Sequence, residues 1–387
     1  MAINLSRNTR LWVSTVSTGH NNSNTFEIPV QEGYSLSQSV ATTDISVEEA
    51  GPTPTRGGKR FNTNLDPVEW SLSTYFNPYE NSADGNIYAV DMILWHALAT
   101  SNTVGVDFDN KTIGTGSLTA GDNDKFTVDF SNNSAHVLTT LYLYFQIDND
   151  VYLVDAAQVG QAEISIDISD IAQISWSGQG VEYIRLSTVP AFVSASGLEF
   201  VDNAPTADQF VKISDEKKYL INKLTTMDFE SDVSDTSKFY NIPITSGSIT
   251  INNNITYLTP NTLAQVDTPI GSFTGSFEVT GSFDAYMRST GKDGSTKANS
   301  RGTTELLEDM LSNTSKVTNI SNATLYIGGE ASGTPQIKVS LPTLHIGVPS
   351  MSVDDVVSTS IEFKAIPSSA DLLSGDEIAV EMFTSIA

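Results

Sequence analysis

Three aspartate pairs are the nearest approach to a ligand set in this 387-residue chain: Asp107 with Asp109, Asp122 with Asp124, and Asp148 with Asp150. Carboxylates spaced this way suit a hard, oxygen-seeking cation such as calcium. None of the pairs carries the glycine and closing glutamate of an EF-hand loop, and Asp-rich turns are ordinary solvated turns. The four histidines, His20, His96, His136 and His345, have no visible partner cluster, and His96 reads as a packing or surface residue. Cysteine is absent, which removes disulfides, thiol nucleophiles and zinc–thiolate sites. Gly114, Gly116 and Gly121 do not form GxGxxG and open no helix, and neither GxxxxGK[ST], HExxH nor GxSxG occurs. Glycoside hydrolysis needs two carboxylates that face each other in space, and an acidic β-rich chain always offers such pairs. Exposed tryptophans usually mark a carbohydrate cleft, but Trp12, Trp70, Trp95 and Trp176 read mostly as core. The expectation is no catalytic residue, no cofactor, no metal site and no enzyme.

What the chain carries instead of a motif is a face. In VEWSLSTYF (68–76) the polar set is Glu69, Ser71 and Ser73. In EISIDIS (163–169) it is Glu163, Ser165, Asp167 and Ser169, and in MSVDD (351–355) it includes Ser352 and Asp354. GSFTGSFEVTGSFDAY (271–286) alternates longest, with Gly271, Phe273, Gly275, Phe277, Val279, Gly281 and Phe283 on one face. Ser272, Thr274, Ser276, Glu278, Thr280, Ser282 and Asp284 are on the other. Such alternation predicts strands with one apolar and one polar side. None of these four polar sets contains Lys or Arg. Two readings stay open: a sheet with one solvated side, or the wall of a channel from which positive charge is excluded.

The composition supports a packed β protein. Hydrophobic residues make up 39% of the chain and aromatics 9%, enough for a sizeable core. Ser and Thr number 47 and 42, so 89 residues carry a small hydroxyl. Lys and Arg total 20 against 46 Asp and Glu, a net charge of -26, the wrong sign for a nucleic-acid binder. Both halves share it: residues 1–200 hold 8 basic and 23 acidic residues, and 201–387 hold 12 and 23. The opening MAINLSRNTR lacks the apolar stretch of a signal peptide, and no run approaches 18 apolar residues.

Two segments, 87–99 and 303–312, have helical spacing and predict short amphipathic helices lying across a sheet. Around them the chain repeats the order of its strands. IPVQEG (28–33) matches IPITSG (242–247), and a constant offset of 187 aligns Gly160 with Gly347, Ser165 with Ser352 and Asp167 with Asp354. The same offset aligns Ile174 with Ile361 and Trp176 with Phe363. Duplication is the expectation: a first domain over 1–180, a connector over 181–215 and a second domain over 216–387. Residues 48–67, with Arg56, Lys59 and Arg60, and the basic loop 288–302 stand outside the repeat.

Long tracts also carry a resemblance. NTRLWVSTVSTGHNNSNTFEIPVQ, DISVEEAGPTPTRGGKRFN, VEWSLSTYFNPY, MILWHAL, SWSGQG, NIPITSGSITINNNITYLTPN, PIGSFTGSFEVTGS and VVSTSIEFKAIPS are similar to major tail tube proteins of T-five-type long-tailed siphophages. The likeness spans about residues 5–370, and the immunoglobulin-like decoration domain of some relatives is absent from the sequence. The resemblance implies a mainly β, duplicated tail-tube fold: two β-sandwich, barrel-forming domains, each with one flanking short α-helix. It implies trimeric rings of pseudo-sixfold character, stacked into a hollow tube that houses the tape measure protein. Tail terminator and distal tail proteins would cap the tube, and double-stranded DNA would pass through without specific binding. Assembly would take place in the host cytoplasm, without membrane insertion, and the product would be part of the virion. On this reading Glu69, Ser71, Ser73, Ser165, Asp167, Glu278, Thr280, Ser282, Asp284, Ser352 and Asp354 face the lumen, and Arg56, Lys59 and Arg60 lie on an inter-ring loop. The alternative is a β-rich carbohydrate- or receptor-binding virion surface protein.

Overall fold

Among the described residues most of the alternating tracts form strands. The computed structural model describes residues 9–18, 20, 25–45, 58–80, 86–99, 106–107, 112–113, 118–119, 125–130, 138–147, 150–186, 218–230, 239–260, 262–263, 266–289, 301–311, 321–353, 356–367 and 376–385. In the first half the strands are β1 (Thr9–Ser14), β2 (Thr25–Ile28), β3 (Ser35–Ser37), β4 (Val40–Ile45), β5 (Lys59–Leu65), β6 (Val68–Tyr75), β7 (Pro78–Glu80) and β8 (Ile87–Ala89). Helix α1 (Met92–Ala99) follows, then β9 (Val106–Asp107), β10 (Thr112–Ile113), β11 (Leu118–Thr119), β12 (Phe126–Asp129), β13 (Leu141–Ile147), β14 (Asp150–Asp167), β15 (Gln173–Gly180) and β16 (Glu182–Arg185). The second half has β17 (Thr226–Glu230), β18 (Phe239–Ile242), β19 (Ile244–Asn252), β20 (Ile255–Leu258), β21 (Gly271–Thr274) and β22 (Glu278–Tyr286). After α2 (Thr303–Leu311) come β23 (Ser321–Ile327), β24 (Gln336–Ile346), β25 (Ser350–Val353), β26 (Val357–Ala365) and β27 (Ala379–Phe383).

Both halves use one set of antiparallel ladders. In the first, β2 pairs β1, β1 pairs β13 and β13 pairs β14. The second half of β14 then pairs β15, β15 pairs β6 and β6 pairs β3. The counterparts are β18–β17, β17–β23 and β23–β24, then β24 and β25 on β26, β26 on β22 and β22 on β19. β14 and β24 thus run through both layers of their repeat. The halves join where β14 pairs β19, and again where β27 bridges β24 and β12.

Four features differ from the sequence reading. The 187 offset holds along β14 and β24–β25 but not across the hairpin that follows. Val159 lies opposite Gly178 and Ile346 opposite Phe363, so Phe363 is the ladder equivalent of Gly178, and Trp176 corresponds to Ile361. The turn between β25 and β26 is two residues shorter than that between β14 and β15. The alternation over 271–286 is not one strand either. Asn254 sits at φ +47°, its carbonyl accepts from Gly275 N at 2.9 Å, and its Nδ2 donates to Ser276 O at 2.7 Å. That breaks the backbone between β21 and β22.

The basic segment after residue 40 is not outside the repeat. β4 and β5 form a hairpin arm, and β20 and β21 form its counterpart, one before each of β6 and β22. Finally, α1 is not amphipathic: Ile93 through Ala99 are all buried, His96 among them. Trp95 meets Trp176 edge-on with ring centroids 5.0 Å apart. α2 keeps one buried stripe, Thr303, Leu306 and Met310. Glu305 reaches back to accept from Gly302 N at 3.0 Å, which satisfies one of the free amides of the first turn. All four tryptophans are 2% exposed or less, so none forms an exposed aromatic platform.

Candidate functional site: a continuous polar face

The face is built by registry. Strands β3, β6, β15, β14, β19, β22, β26 and β25 lie side by side in that order, and their polar residues fall in rows. One row runs Ser35–Ser71–Ser177–Gln161–Asn252–Glu278. The next runs Ser73–Ser175–Glu163–Thr250–Thr280–Lys364, and a third Gln173–Ser165–Ser248–Ser282–Glu362. A fourth runs Asp167–Ser246–Asp284–Ser360–Ser350. The intervening rows point into the core; one is Leu72–Trp176–Ala162–Ile251–Val279. Period-2 geometry forces this division once one side is buried.

Glu69, beside Ser37 and Gln179, and Ser352, beside Ser358, extend the face beyond these rows and are exposed, as are Asp167 and Asp284, while Ser71, Ser73, Ser165, Glu278, Thr280 and Ser282 are half-buried. The fold therefore gathers ten of the eleven expected lumen residues on one surface. Asp354 lies outside the described residues. β19 and β15, outside the four strands picked out by their polar sets, add Ser246, Ser248, Thr250, Ser175 and Ser177, which complete the rows. Their signal was present in SGSITIN and QISWSGQG as the same alternation.

Hydroxyls brace the face from strand to strand. Ser35 and Ser71 hydroxyls are 2.7 Å apart, those of Ser73 and Ser175 3.1 Å, and Ser246 Oγ donates to Asp284 Oδ2 at 2.8 Å. Asp167 accepts from the hydroxyl and the amide of Ser169 at 2.6 and 3.0 Å, which holds its carboxyl below the ordinary range. Every strand of the face but β26 is free of Lys and Arg on its polar side. β26 brings Lys364 onto the face, where its ammonium pairs with the Glu278 carboxylate. The described face thus holds Glu69, Glu163, Asp167, Glu278, Asp284 and Glu362 against one lysine. It has surface for contact and charge for repulsion.

The basic arm is differently arranged. Lys59 and Arg60 are exposed on β5, and Arg56 lies outside the described residues. Arg60 Nε and Nη2 donate to Asp44 Oδ1 and Oδ2 at 2.6 and 2.9 Å, a bidentate clasp across the hairpin. Of the six paired aspartates only Asp150 has a described side chain. Asp150 is clasped by Arg185 at 2.5 and 3.1 Å, and Asp109, Asp122, Asp124 and Asp148 lie outside the described residues, as does the side chain of Asp107. Among the described residues no three metal-ligating side chains come together.

Known proteins match most of this chain in sequence. A family model described as phage tail tube protein matches residues 94–365, from inside α1 to the end of β26. The tail tube protein pb6 of Escherichia phage T5 is 42% identical over 379 residues, covering 97% of this chain and 75% of that protein. The match spans both arms and all eight strands of the polar face. The chain belongs to the phage tail tube proteins and is a structural component of the virion tail, not an enzyme.

Proposed function

We propose that the polar face lines the lumen of the tail tube, and that three copies close each ring with pseudo-sixfold symmetry. The observation that carries this reading is the eight-strand face itself, which is continuous across both repeats. Its two tail-tube domains are taken as 1–180 and 216–387, joined by 181–215, so each chain supplies two of six equivalent wall segments. Stacked rings house the tape measure protein before infection and conduct DNA during ejection, with the tail terminator and distal tail proteins at the ends.

Electrostatics gives the wall its role. Duplex DNA carries one negative charge per roughly 1.7 Å of axis, and each exposed Lys or Arg beside it would release counterions and bind. Carboxylates and hydroxyls hold phosphate weakly, and at physiological salt repulsion reaches only about 8 Å. Lys364 agrees with this account because Glu278 neutralises it. Asp354 belongs to the same wall by its 187 offset from Asp167. The arm bearing Arg56, Lys59 and Arg60 reaches the adjacent ring. Negative-stain microscopy of the purified protein tests the reading: rings and tubes with an open bore are expected, and solitary monomers at high concentration would overturn it. A carbohydrate-binding surface protein would need exposed aromatic platforms, and the buried tryptophans do not supply them.

A further inference from the structure

The polar face is not level. Across β3, β6, β15 and β14 it sinks into a recess of about 420 Å³, within the range of about 300–1,000 Å³ that holds ligands. The recess lies where β14 bulges: its register with β15 slips between Val159 and Gln161, and Gly160 at the slip has no side chain to fill the gap. Ser35, Ser71 and Ser177 line it with the smallest hydroxyl side chain, and Asn254 and Ile255 wall it on the side of β20. A second recess of about 210 Å³ continues from the first and shares Ser71, Gln161 and Ser177 with it. The two make one trough, with Glu69 in the first part and Glu163 in the second.

Its polar groups are unspent. Among the described residues the side chains of Glu69, Gln161, Glu163, Ser177 and Gln179 enter no hydrogen bond or ion pair. The equivalent positions of the second repeat carry a different set. Phe363 is the ladder equivalent of Gly178, so Glu362 takes the place of Ser177 and Lys364 that of Gln179. Thr280, opposite Lys364, takes the place of Glu69, opposite Gln179, and the 187 offset gives Val348 for Gln161. A serine, two glutamines and a free carboxylate thus become a glutamate, a valine, a threonine and a lysine that Glu278 already holds.

Resting on the tube reading, we infer that this trough grips a helical segment of the tape measure protein by its Lys or Arg side chains, and that only the first repeat does so. In that reading two molecules meet the lumenal face, the tape measure protein and duplex DNA. No Lys or Arg lines the trough, so it offers phosphate no partner, and Glu69 and Glu163 repel it. The same groups suit a cationic side chain. An ammonium brings three donors and a guanidinium five, and the Glu69 carboxylate, the amide oxygens of Gln161 and Gln179 and the Ser177 hydroxyl all accept. Two strand spacings and four residues separate Glu69 from Glu163, about 16 Å in all. A helix presents the same side again after about eleven residues, also about 16 Å, so one helix can set a cation at each carboxylate. In the second repeat the ammonium of Lys364 already fills the equivalent place. The wall grips on one repeat and slides on the other.

Photo-cross-linking in tails assembled with the tape measure protein tests the grip. The photoreactive residue benzoylphenylalanine replaces Gln161 in one set of tails and its equivalent Val348 in another. Adducts with the tape measure protein should form several-fold more often from position 161. Adding Glu69→Gln and Glu163→Gln should cut that yield several-fold while tubes still form. Equal yields at 161 and 348, or adducts at neither, would overturn the one-sided grip, and a yield untouched by the glutamines would overturn the cationic ligand. Both results leave the tube intact. Absence of rings and tubes from the unmodified protein would overturn the tube reading and the grip together. Should the photoreactive chains not assemble, Glu69→Lys with Glu163→Lys in otherwise unaltered tails decides: tape measure protein should be lost from the tubes, and normal content refutes the grip.

Discussion

Trp70 and Gly178 face each other across the β6–β15 ladder, and the indole occupies the space a side chain on Gly178 would need. A Cβ there would stand 2.6 Å from Trp70 Cζ2 and 2.0 Å from Gln158 O. The second repeat inverts the pair. Phe363 lies opposite Gly281, where a Cβ would stand 2.5 Å from Phe363 Cζ and 2.3 Å from Ser248 O. By register Gly281 replaces Trp70 and Phe363 replaces Gly178. Each repeat fills the same core position with one aromatic and one glycine, from opposite strands, as close packing requires.

Gly178→Ala should therefore destabilise the protein by about 2–3 kcal/mol, because the clash includes backbone and cannot be relieved by a rotamer change. Gly160→Ala, whose Cβ would meet its neighbours at 3.6 Å, should fall within about 0.5 kcal/mol of the parent. Thermal unfolding of both variants checks this, and equal losses would refute the packing account.

Asp167→Lys combined with Asp284→Lys should slow genome ejection several-fold while tubes of normal length still form. The slowing should fade as salt rises, since phosphate contacts weaken with counterion concentration. Asp167→Asn with Asp284→Asn adds no cation and should leave the rate near normal. An unchanged rate in the lysine virions would remove the exclusion of phosphate-binding cations as the reason for the acidic face.

Lys59→Glu with Arg60→Glu should stop ring stacking while single rings persist in microscopy. Because Arg60 also clasps Asp44, loss of the hairpin is a competing cause. The swap Asp44→Arg with Arg60→Asp keeps the clasp and moves the charge. If the swapped arm stacks normally, hairpin integrity rather than docking charge explains the defect.

Asp91 is buried at the start of α1, and burial pushes its pKa up from 3.8 to about 6, against the bond from Thr74 Oγ1 at 3.0 Å. Thr74 Oγ1 in turn accepts from Trp176 Nε1 at 3.0 Å. A raised folded pKa means the folded state holds the proton more tightly than the unfolded chain. The stability this gives is complete below about pH 4 and is lost as pH rises through about 6. Asp91→Asn keeps an acceptor for Thr74 and has no charge to bury. It should stabilise the protein by about 2 kcal/mol at pH 8 and change little at pH 4, measured as the shift in melting temperature. A variant destabilised equally at both pH values would refute the burial argument.

The alternation in VEWSLSTYF and EISIDIS determined by itself that these strands have a polar and an apolar side, because a pleated strand sends successive side chains to opposite faces. The order of strands about two helical segments likewise showed the duplication. What period 2 does not encode is register. The shorter turn before β26 moved the equivalent of Trp176 from Phe363 to Ile361, and the turn at Asn254 cut the longest alternating tract in two. Nor does it tell which faces end up on one surface: β19 and β15 joined the polar wall, and Lys364 entered it beside Glu278, only through ladders between residues far apart in sequence. α1 reads as amphipathic from its spacing, yet it packs against β14 and β12 with Ile93 through Ala99 all buried, and a helix buried round its circumference is mostly apolar round its circumference. Side-chain direction is local and could be read from the chain. Partner and register come from long-range pairing, and only the tertiary structure decided them.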